Sequence, residues 1–328
     1  MADGDRSGLH TGMAGLPSDA QAEIESLRAI RSPTRRVVAP ALEDILYEPI
    51  PVLDHGFIRV IDYMGDDSSV VQAARVSYGR GTTKQRTDAG LIGYLMRHRH
   101  TSPFEMCEIK LHVKLPIFVA RQWIRHRTAS VNEYSGRYSV LDREFYVPRI
   151  GDLAPQSQTA RQGRSGVLPP ERASRVLDLL RRNAEAAYEG YETLLADPSE
   201  TPDGLGLARE LARMNLTLSY YTQWYWKIDL HNLLHFVEVR ASPDAQLEIR
   251  AYALVLLELL RAWVPQTAEA FRIHRLEGVS LSSKAIRVIR AAVPTSNLVR
   301  PEDMSDGEWR ELLAVLDRNE AVDADAGR

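Results

Sequence analysis

Cys107-Glu-Ile-Lys-Leu-His-Val-Lys-Leu115 is the stretch whose reading decides the fold class. Cys107, Ile109, Leu111, Val113 and Leu115 alternate with Glu108, Lys110, His112 and Lys114, a period of two that buries one face of a strand and wets the other. Half-wet strands of this kind belong to antiparallel sheets, whereas a doubly wound parallel sheet needs near-continuous apolar runs. Pro116 follows, where a helix start tolerates proline, and Ile117 to Arg125 continues as that helix.

Working outward, Gly56 to Tyr63 reads as a second strand and Thr217 to Ile228, rich in Tyr, Trp and Thr, as a third. A further strand is expected near Glu144 to Val147. Helices are expected at about Ser68–Ser77, Thr87–Arg97, Glu171–Leu195, Leu205–Met214, Leu230–Val239 with Asp229 as its cap, and Ala245–Trp263. Arg127 to Arg137 reads as a polar loop, and Pro155 to Val167 as a surface loop rich in Gln, Ser, Gly and Arg. The class is α+β: a half-exposed, mostly antiparallel sheet packed with long helices. Residues 1–50 carry only weak helical periodicity between Ala20 and Ile30 and read as a partly flexible extension outside the core. Residues 51–275 form the expected main domain, and 276–328 a helical extension with stretches at Ser283–Ala292 and Ser305–Leu316.

The 328 residues are 44% hydrophobic and 26% charged, the balance of an ordinary globular protein. A net charge of -3 gives no global pull toward nucleic acid or an anionic membrane, so any anion site must be local. Of the 41 basic residues only Lys84, Lys110, Lys114, Lys227 and Lys284 are lysine. Arginine grips phosphate and carboxylate through a fork that lysine lacks. The single cysteine, Cys107, rules out an intrachain disulfide and a Cys-rich zinc site, and fits a reducing cytoplasm. The longest apolar run, Ala251 to Leu257, is too short to span a bilayer, so neither membrane insertion nor secretion is expected.

Chemistry concentrates in Arg121-Gln-Trp-Ile-Arg-His-Arg-Thr-Ala-Ser-Val-Asn-Glu-Tyr-Ser-Gly-Arg137, where four arginines face one acid, Glu133. Helical spacing stacks Arg121 over Arg125, while Arg127 and Arg137 sit among Ser and Gly with free backbone N–H groups, a competent phosphate-binding surface. A solvated basic face gives the same pattern. His98-Arg-His100-Thr-Ser-Pro-Phe-Glu105 and Asp229-Leu-His231-Asn-Leu-Leu-His235 invite a metal reading, although no cysteine assists and HExxH is absent; no metal is expected. Tyr220, Tyr221, Trp224, Tyr225 and Trp226 leave a base-stacking, single-strand-binding module open as an alternative. No GxGxxG follows a strand and no GxxxxGK is present.

Arg125-His126-Arg127, followed after seven residues by Ser135, with Asn132-Glu133 and Gly136-Arg137 in the same window, resembles the signature of the flavin-dependent thymidylate synthases. Ala74-Arg-Val-Ser77, His100 with Ser102-Pro-Phe-Glu105, Pro116-Ile-Phe-Val-Ala-Arg-Gln-Trp123, Asp229-Leu-His231 and Arg240 fall in the family's order, so the resemblance covers about residues 50 to 275. It implies that family's fold and the conversion of dUMP to dTMP, with methylenetetrahydrofolate as carbon donor and FAD, reduced by NADPH, as hydride carrier. It further implies a homotetramer with shared active sites, and no nucleic-acid partner. By position, dUMP would be held by Gln122, Trp123, Ile124, Arg125, Glu133, Tyr134, Ser135, Gly136, Arg137 and Arg213, with Arg240 as the catalytic residue beside the pyrimidine. FAD would contact Ser77, Ser102, Arg125, His126, Arg127, Glu133, Asp229, Leu230, His231 and His235, and His100 and Tyr138 would line the folate and flavin-ring pocket. Asp229-Leu-His231 stands where many members carry Asn-x-Arg, and an acid there suits a phosphate poorly unless it faces the ring or the ribose.

Overall fold

A computed structural model describes residues 12–76, 87–158 and 163–317. Five strands, β1 (Ile50–Val52), β2 (Gly56–Met64), β3 (Glu108–Pro116), β4 (Ser130–Glu133) and β5 (Tyr221–Asp229), form one sheet in the order β1-β2-β3-β5-β4, with every pair antiparallel. The alternation of β3 is realised residue by residue. Ile109, Leu111 and Val113 stand opposite Ile228, Trp226 and Trp224, all buried, while Lys110, His112 and Lys114 stand opposite Lys227, Tyr225 and Gln223 on the other face.

The helices of the first unit are α1 (Ser18–Ala29), α2 (Pro40–Glu43), α3 (Asp67–Val76), α4 (Asp88–Arg97), α5 (Ile117–Trp123), α6 (Pro170–Leu195), α7 (Arg209–Ala212), α8 (Leu230–Arg240), α9 (Leu247–Trp263) and α10 (Pro265–Phe271). The chain divides between Leu276 and Glu277 into two compact units. In the second, α11 (Ser283–Ala292) packs on α12 (Asp306–Asp317), and the Arg290 guanidinium donates to the Val315 carbonyl. Among the described residues no helix is long and apolar enough to cross a membrane.

Two local devices place the functional region. Pro116 ends β3 and caps α5 with no intervening loop, and the first α5 N–H groups, of Ile117 and Phe118, donate to the carbonyls of Tyr220 and Leu218 ahead of β5. At the far end of α5, Trp123 is fully buried, its ring 4.6 Å from Phe236 of α8, 5.1 Å from Trp226 of β5 and 5.8 Å from Tyr252 of α9. Asp67 performs a similar task on the other side of the core, accepting from the backbone N–H groups of Gln266 and Thr267 at the start of α10.

Several expectations need correction. The loop expected over 127–137 contains β4, an edge strand that the period-two rule misses because Ser130 to Glu133 are all exposed and show no inner phase. Glu144 to Val147 forms no named strand; Phe145 makes a single bridge to Tyr220. The helix expected over Leu205–Met214 shrinks to α7 plus a 3₁₀ turn at Arg213–Asn215. Leu42, Ile45 and Ile50, in the stretch read as lying outside the core, are buried within it. Trp224, Trp226, Tyr220 and Tyr221 are also core side chains, leaving Tyr225 alone of the five exposed. That removes the stacking platform the single-strand-binding reading requires.

Trp123→Ala is expected to cost about 3–5 kcal/mol by urea denaturation, and Trp123→Phe clearly less, since the indole N–H is buried without a partner and its loss costs no hydrogen bond. On the opposite face His112 accepts from Arg59 Nε at 2.9 Å and pairs with Gln223 Oε1 at 2.9 Å. Burial, then the Arg59 charge, pushes its pKa down from 6.5 to about 4. The unfolded chain therefore takes up this proton first, and stability falls as pH drops from 6.5 toward 4. In His112→Gln that acid-induced loss should shrink by roughly 1–3 kcal/mol, measured as the pH dependence of unfolding.

Candidate active site

The site is assembled where the end of α5, the turn into β4 and helix α8 meet. Trp123 is the anchor, with Gln122, Ile124 and Arg125 around it; Ile124 and Arg125 are exposed and Gln122 is half-buried. Gln122 Oε1 is buried and has no hydrogen-bond partner. Arg125 and Arg127 are exposed and make no ion pair among the described residues. His126 lies between them, its Nε2 3.0 Å from Thr128 Oγ1 and its ring 5.7 Å from that of His235. Burial, then the neighbouring His235 and Arg240, lowers the pKa of His126, so the ring stays neutral at pH 7.

Downstream, Glu133 accepts from Thr222 Oγ1 at 2.7 Å, and the Tyr134 N–H donates to the Gln223 carbonyl at 2.8 Å. A tight turn follows, in which Ser135 Oγ accepts from the Arg137 N–H at 3.3 Å and the Ser135 carbonyl from the Tyr138 N–H at 3.1 Å. Gly136 is buried, and a Cβ there would stand 3.0 Å from a Leu141 methyl. Arg137 pairs with Glu210 at 3.5 Å and lies over the ring of Tyr138. The Arg213 Nε donates to the Glu210 carbonyl, so Arg213 belongs to the same neighbourhood.

Helix α8 behaves as its cap implies. Asp229 Oδ1 accepts from the Asn232 N–H and Oδ2 from the Asn232 side-chain amide, at 2.9 and 2.7 Å. Both carboxylate oxygens thus serve the helix start, which accounts for an acid at this position without any phosphate contact. Leu230 is fully buried and its N–H donates to the Cys107 carbonyl. Four residues apart on one helical face, His231 and His235 reach a small hollow of about 60 Å³ together with His100, Thr101, Glu238 and Arg275. His100 owes its position to the end of α4: Arg99 takes the left-handed conformation (φ 58°), and the His100 and Arg99 N–H groups bond back to Leu95 and Met96. Ser102 is exposed two residues on, while Ser77 lies outside the described residues.

Three recesses therefore carry the expected residues. Gln122 and Arg240 share a cavity of about 1320 Å³, His100, His231 and His235 share the small hollow, and Arg137 and Tyr138 line a cleft of about 450 Å³ with Arg209 and Glu210. His100 and Tyr138 fall in different recesses, as do Gln122 and Arg137. Arg240 couples the first two, since it both lines the large cavity and depresses His126 beside His235. The donor set suits a dinucleotide: unpaired guanidinium groups for a pyrophosphate, the adjacent imidazoles of His126 and His235, and a histidine rim too small to enclose a ring system. Among the described residues no three His, Cys, Asp or Glu side chains converge on a metal position.

The large cavity also contains residues that sequence reasoning missed, among them Arg164, Glu248 and Arg250. One signal was present: Glu248 sits next to Ile249 on the inner stripe of α9, where a charge is costly unless it is paired.

A family model described as thymidylate synthase complementing protein matches residues 59–266. The chain is 58% identical over 303 residues to the flavin-dependent thymidylate synthase of Gluconobacter oxydans, covering 92% of this chain and 98% of that protein. It is 53% identical over 304 residues to the protein of the same name from Ruegeria pomeroyi, covering 92% and 99%. Among solved structures, the UMP/dUMP methylase PolB of Streptomyces cacaoi bound with 5-Br dUMP superposes with a TM-score of 0.59 at 32% identity, over 68% of this chain and 97% of that one.

Arg240→Gln removes a cation that opposes protonation of His126, so the His126 pKa is expected to rise, followed by NMR titration of the imidazole against unchanged backbone spectra.

Proposed function

This chain belongs to the flavin-dependent thymidylate synthase family, and from that premise we propose how its own residues divide the work. It is a methyltransferase that converts dUMP to dTMP, with methylenetetrahydrofolate as carbon donor and FAD, reduced by NADPH, as hydride carrier, releasing tetrahydrofolate.

One observation carries the assignment of the pyrimidine end. A uracil ring presents an N3–H donor flanked by two carbonyl acceptors, and the large cavity offers complementary groups on its wall, the unpartnered Gln122 carbonyl and the Arg240 guanidinium. Gln122 accepts the imide N–H, and Arg240 donates to a flanking carbonyl. As C5 becomes nucleophilic, charge accumulates on that carbonyl, and a fixed guanidinium there stabilises it. The UMP/dUMP methylase that this chain resembles was solved with a halogenated dUMP bound, consistent with a pyrimidine nucleotide as occupant.

Bound FAD supplies the hydride. Arg125 and Arg127 hold its pyrophosphate, and His126, His231, His235 and Ser102 border the rest, with Glu133 keeping one carboxylate oxygen clear of its bond to Thr222. Leu230 contributes packing beneath them, since its side chain is in the core. His126, kept neutral, adds no charge of its own to the site. No thiol takes part: Cys107 is fully buried and burial pushes its pKa up to about 12, which leaves no thiolate to attack uracil C6.

The phosphate of dUMP falls to Ser135, Gly136, Arg137 and Arg213. Glu210 is an exposed partner for Arg137, and such a pair is weak enough for a phosphate to displace it. Arg137 lines a cleft apart from Gln122 and Arg240, which supports a site completed between copies of the chain in a homotetramer. The location that fits this chemistry and the single reduced cysteine is the cytoplasm.

The purified protein should be yellow and bleach with NADPH. Gln122→Leu and Arg137→Lys should each raise the KM for dUMP by about tenfold, the first by removing the imide acceptor and the second by removing the fork while keeping the charge. Cys107→Ala should turn over near the wild-type rate. A colourless protein, or unchanged KM values in both dUMP variants, would overturn the assignment.

A further inference from the structure

The cavity that holds Gln122 and Arg240, at about 1320 Å³, exceeds the roughly 300–1,000 Å³ that a single small ligand usually occupies. Its remaining wall is built from the first turn of α9 and the segment around Gly163 and Arg164, and it carries two further guanidinium groups, Arg164 and Arg250. Neither belongs to the dUMP or FAD residues assigned above. We propose that Arg250 and Arg164 form a separate anion subsite, which takes the ionised arm of a co-substrate: a carboxylate of the folate tail or a phosphate of NADPH. This rests on the flavin-dependent thymidylate synthase reading and adds to it a place for a second ligand in the same cavity.

Three observations support it. The Nε of Arg250 is buried and has no acceptor. A shielded donor without a partner is destabilising, and such a group in a folded protein calls for an occupant that satisfies it. Arg164, by contrast, is held in place without being used up. Its Nη1 donates to the Asp152 carbonyl at 2.8 Å and its Nη2 lies 3.4 Å from Glu248 Oε1, which leaves the guanidinium with uncommitted N–H groups. Glu248 is itself engaged beyond this pair, accepting from Gln246 Nε2 at 2.8 Å and Tyr146 OH at 3.4 Å, so it serves as a fixed post for Arg164.

The charges facing the cavity are Arg164, Arg240 and Arg250 against Glu248 and Asp244. The balance is positive by one, and the Glu248 charge is already met by Arg164. A carboxylate or a phosphate accepts from a guanidinium fork in the same bidentate way, so the subsite selects an anion by geometry as well as by sign.

The test is calorimetric titration of the FAD-loaded protein with dUMP, with tetrahydrofolate, with tetrahydropteroate, which lacks the glutamate tail, and with NADP⁺. Arg250→Gln and Arg164→Gln are each expected to weaken either tetrahydrofolate or NADP⁺ by about tenfold while dUMP binding stays at the wild-type level. If the folate tail is the occupant, tetrahydropteroate binds wild type and variants alike; if a nucleotide phosphate is, only NADP⁺ weakens. Arg250→Lys, which keeps the charge, should recover part of the lost affinity, and this separates a ligand contact from a folding defect. Wild-type affinity for both co-substrates in both Gln variants, or a parallel loss of dUMP binding, overturns the subsite. A wild-type protein that fails to bind dUMP overturns the functional reading instead.

Discussion

Burial of the Trp123 ring is the constraint on which the rest of the molecule depends. Its neighbours, Trp226 from β5, Phe236 from α8 and Tyr252 from α9, tie three elements to the last turn of α5. Each of those elements also carries a functional group: Thr222 beneath Glu133 on β5, His235 next to Phe236, and Glu248 one turn and Arg250 two residues from Tyr252. Because packed interiors leave little room for adjustment, one aromatic junction sets the relative positions of chemistry that the chain order scatters over more than a hundred residues.

Around that junction, the arginines differ in how far acids occupy them. Arg143 is met by Glu185, Glu189 and Glu192, and Arg261 and Arg272 by acids three residues away. Arg125, Arg127, Arg240 and Arg250 make no such pairs among the described residues, although the chain as a whole holds more acids than bases. A guanidinium left unpaired in an acid-rich protein keeps its fork for a ligand. Arg137 is intermediate, with one exposed and easily exchanged partner. The histidines follow related logic: burial and nearby cations hold His126 neutral beside a surface built to attract anions.

Legibility in the sequence tracked how strongly local residues constrain local structure. The β3 alternation, the Pro116 helix start and the Asp229 cap were all readable, because each depends on side-chain period or on a hydrogen bond within three residues. β4 was not, since an edge strand with both faces wet has no period and exists only because β5 lies alongside to accept its hydrogen bonds. Residues 39–50 were misread for a related reason: Leu42 and Ile45 are too few to show a pattern, and they count as core only because α9 and the sheet supply the other wall.

For the site, the chain by itself determined the chemistry: a cluster of arginines around one acid, a neighbouring set of histidines and the order of motifs that marks the family. Only the tertiary structure decided how those groups are distributed. It joined Gln122 to Arg240 in one cavity, set Arg137 and Tyr138 in another, used both oxygens of Asp229 for a helix cap, and brought Arg164 and Arg250 into a wall that no motif indicated. The physical reason is that residue type fixes what a group can bind, whereas burial and the loss or gain of partners, which decide whether it is free to bind, come from segments distant in sequence.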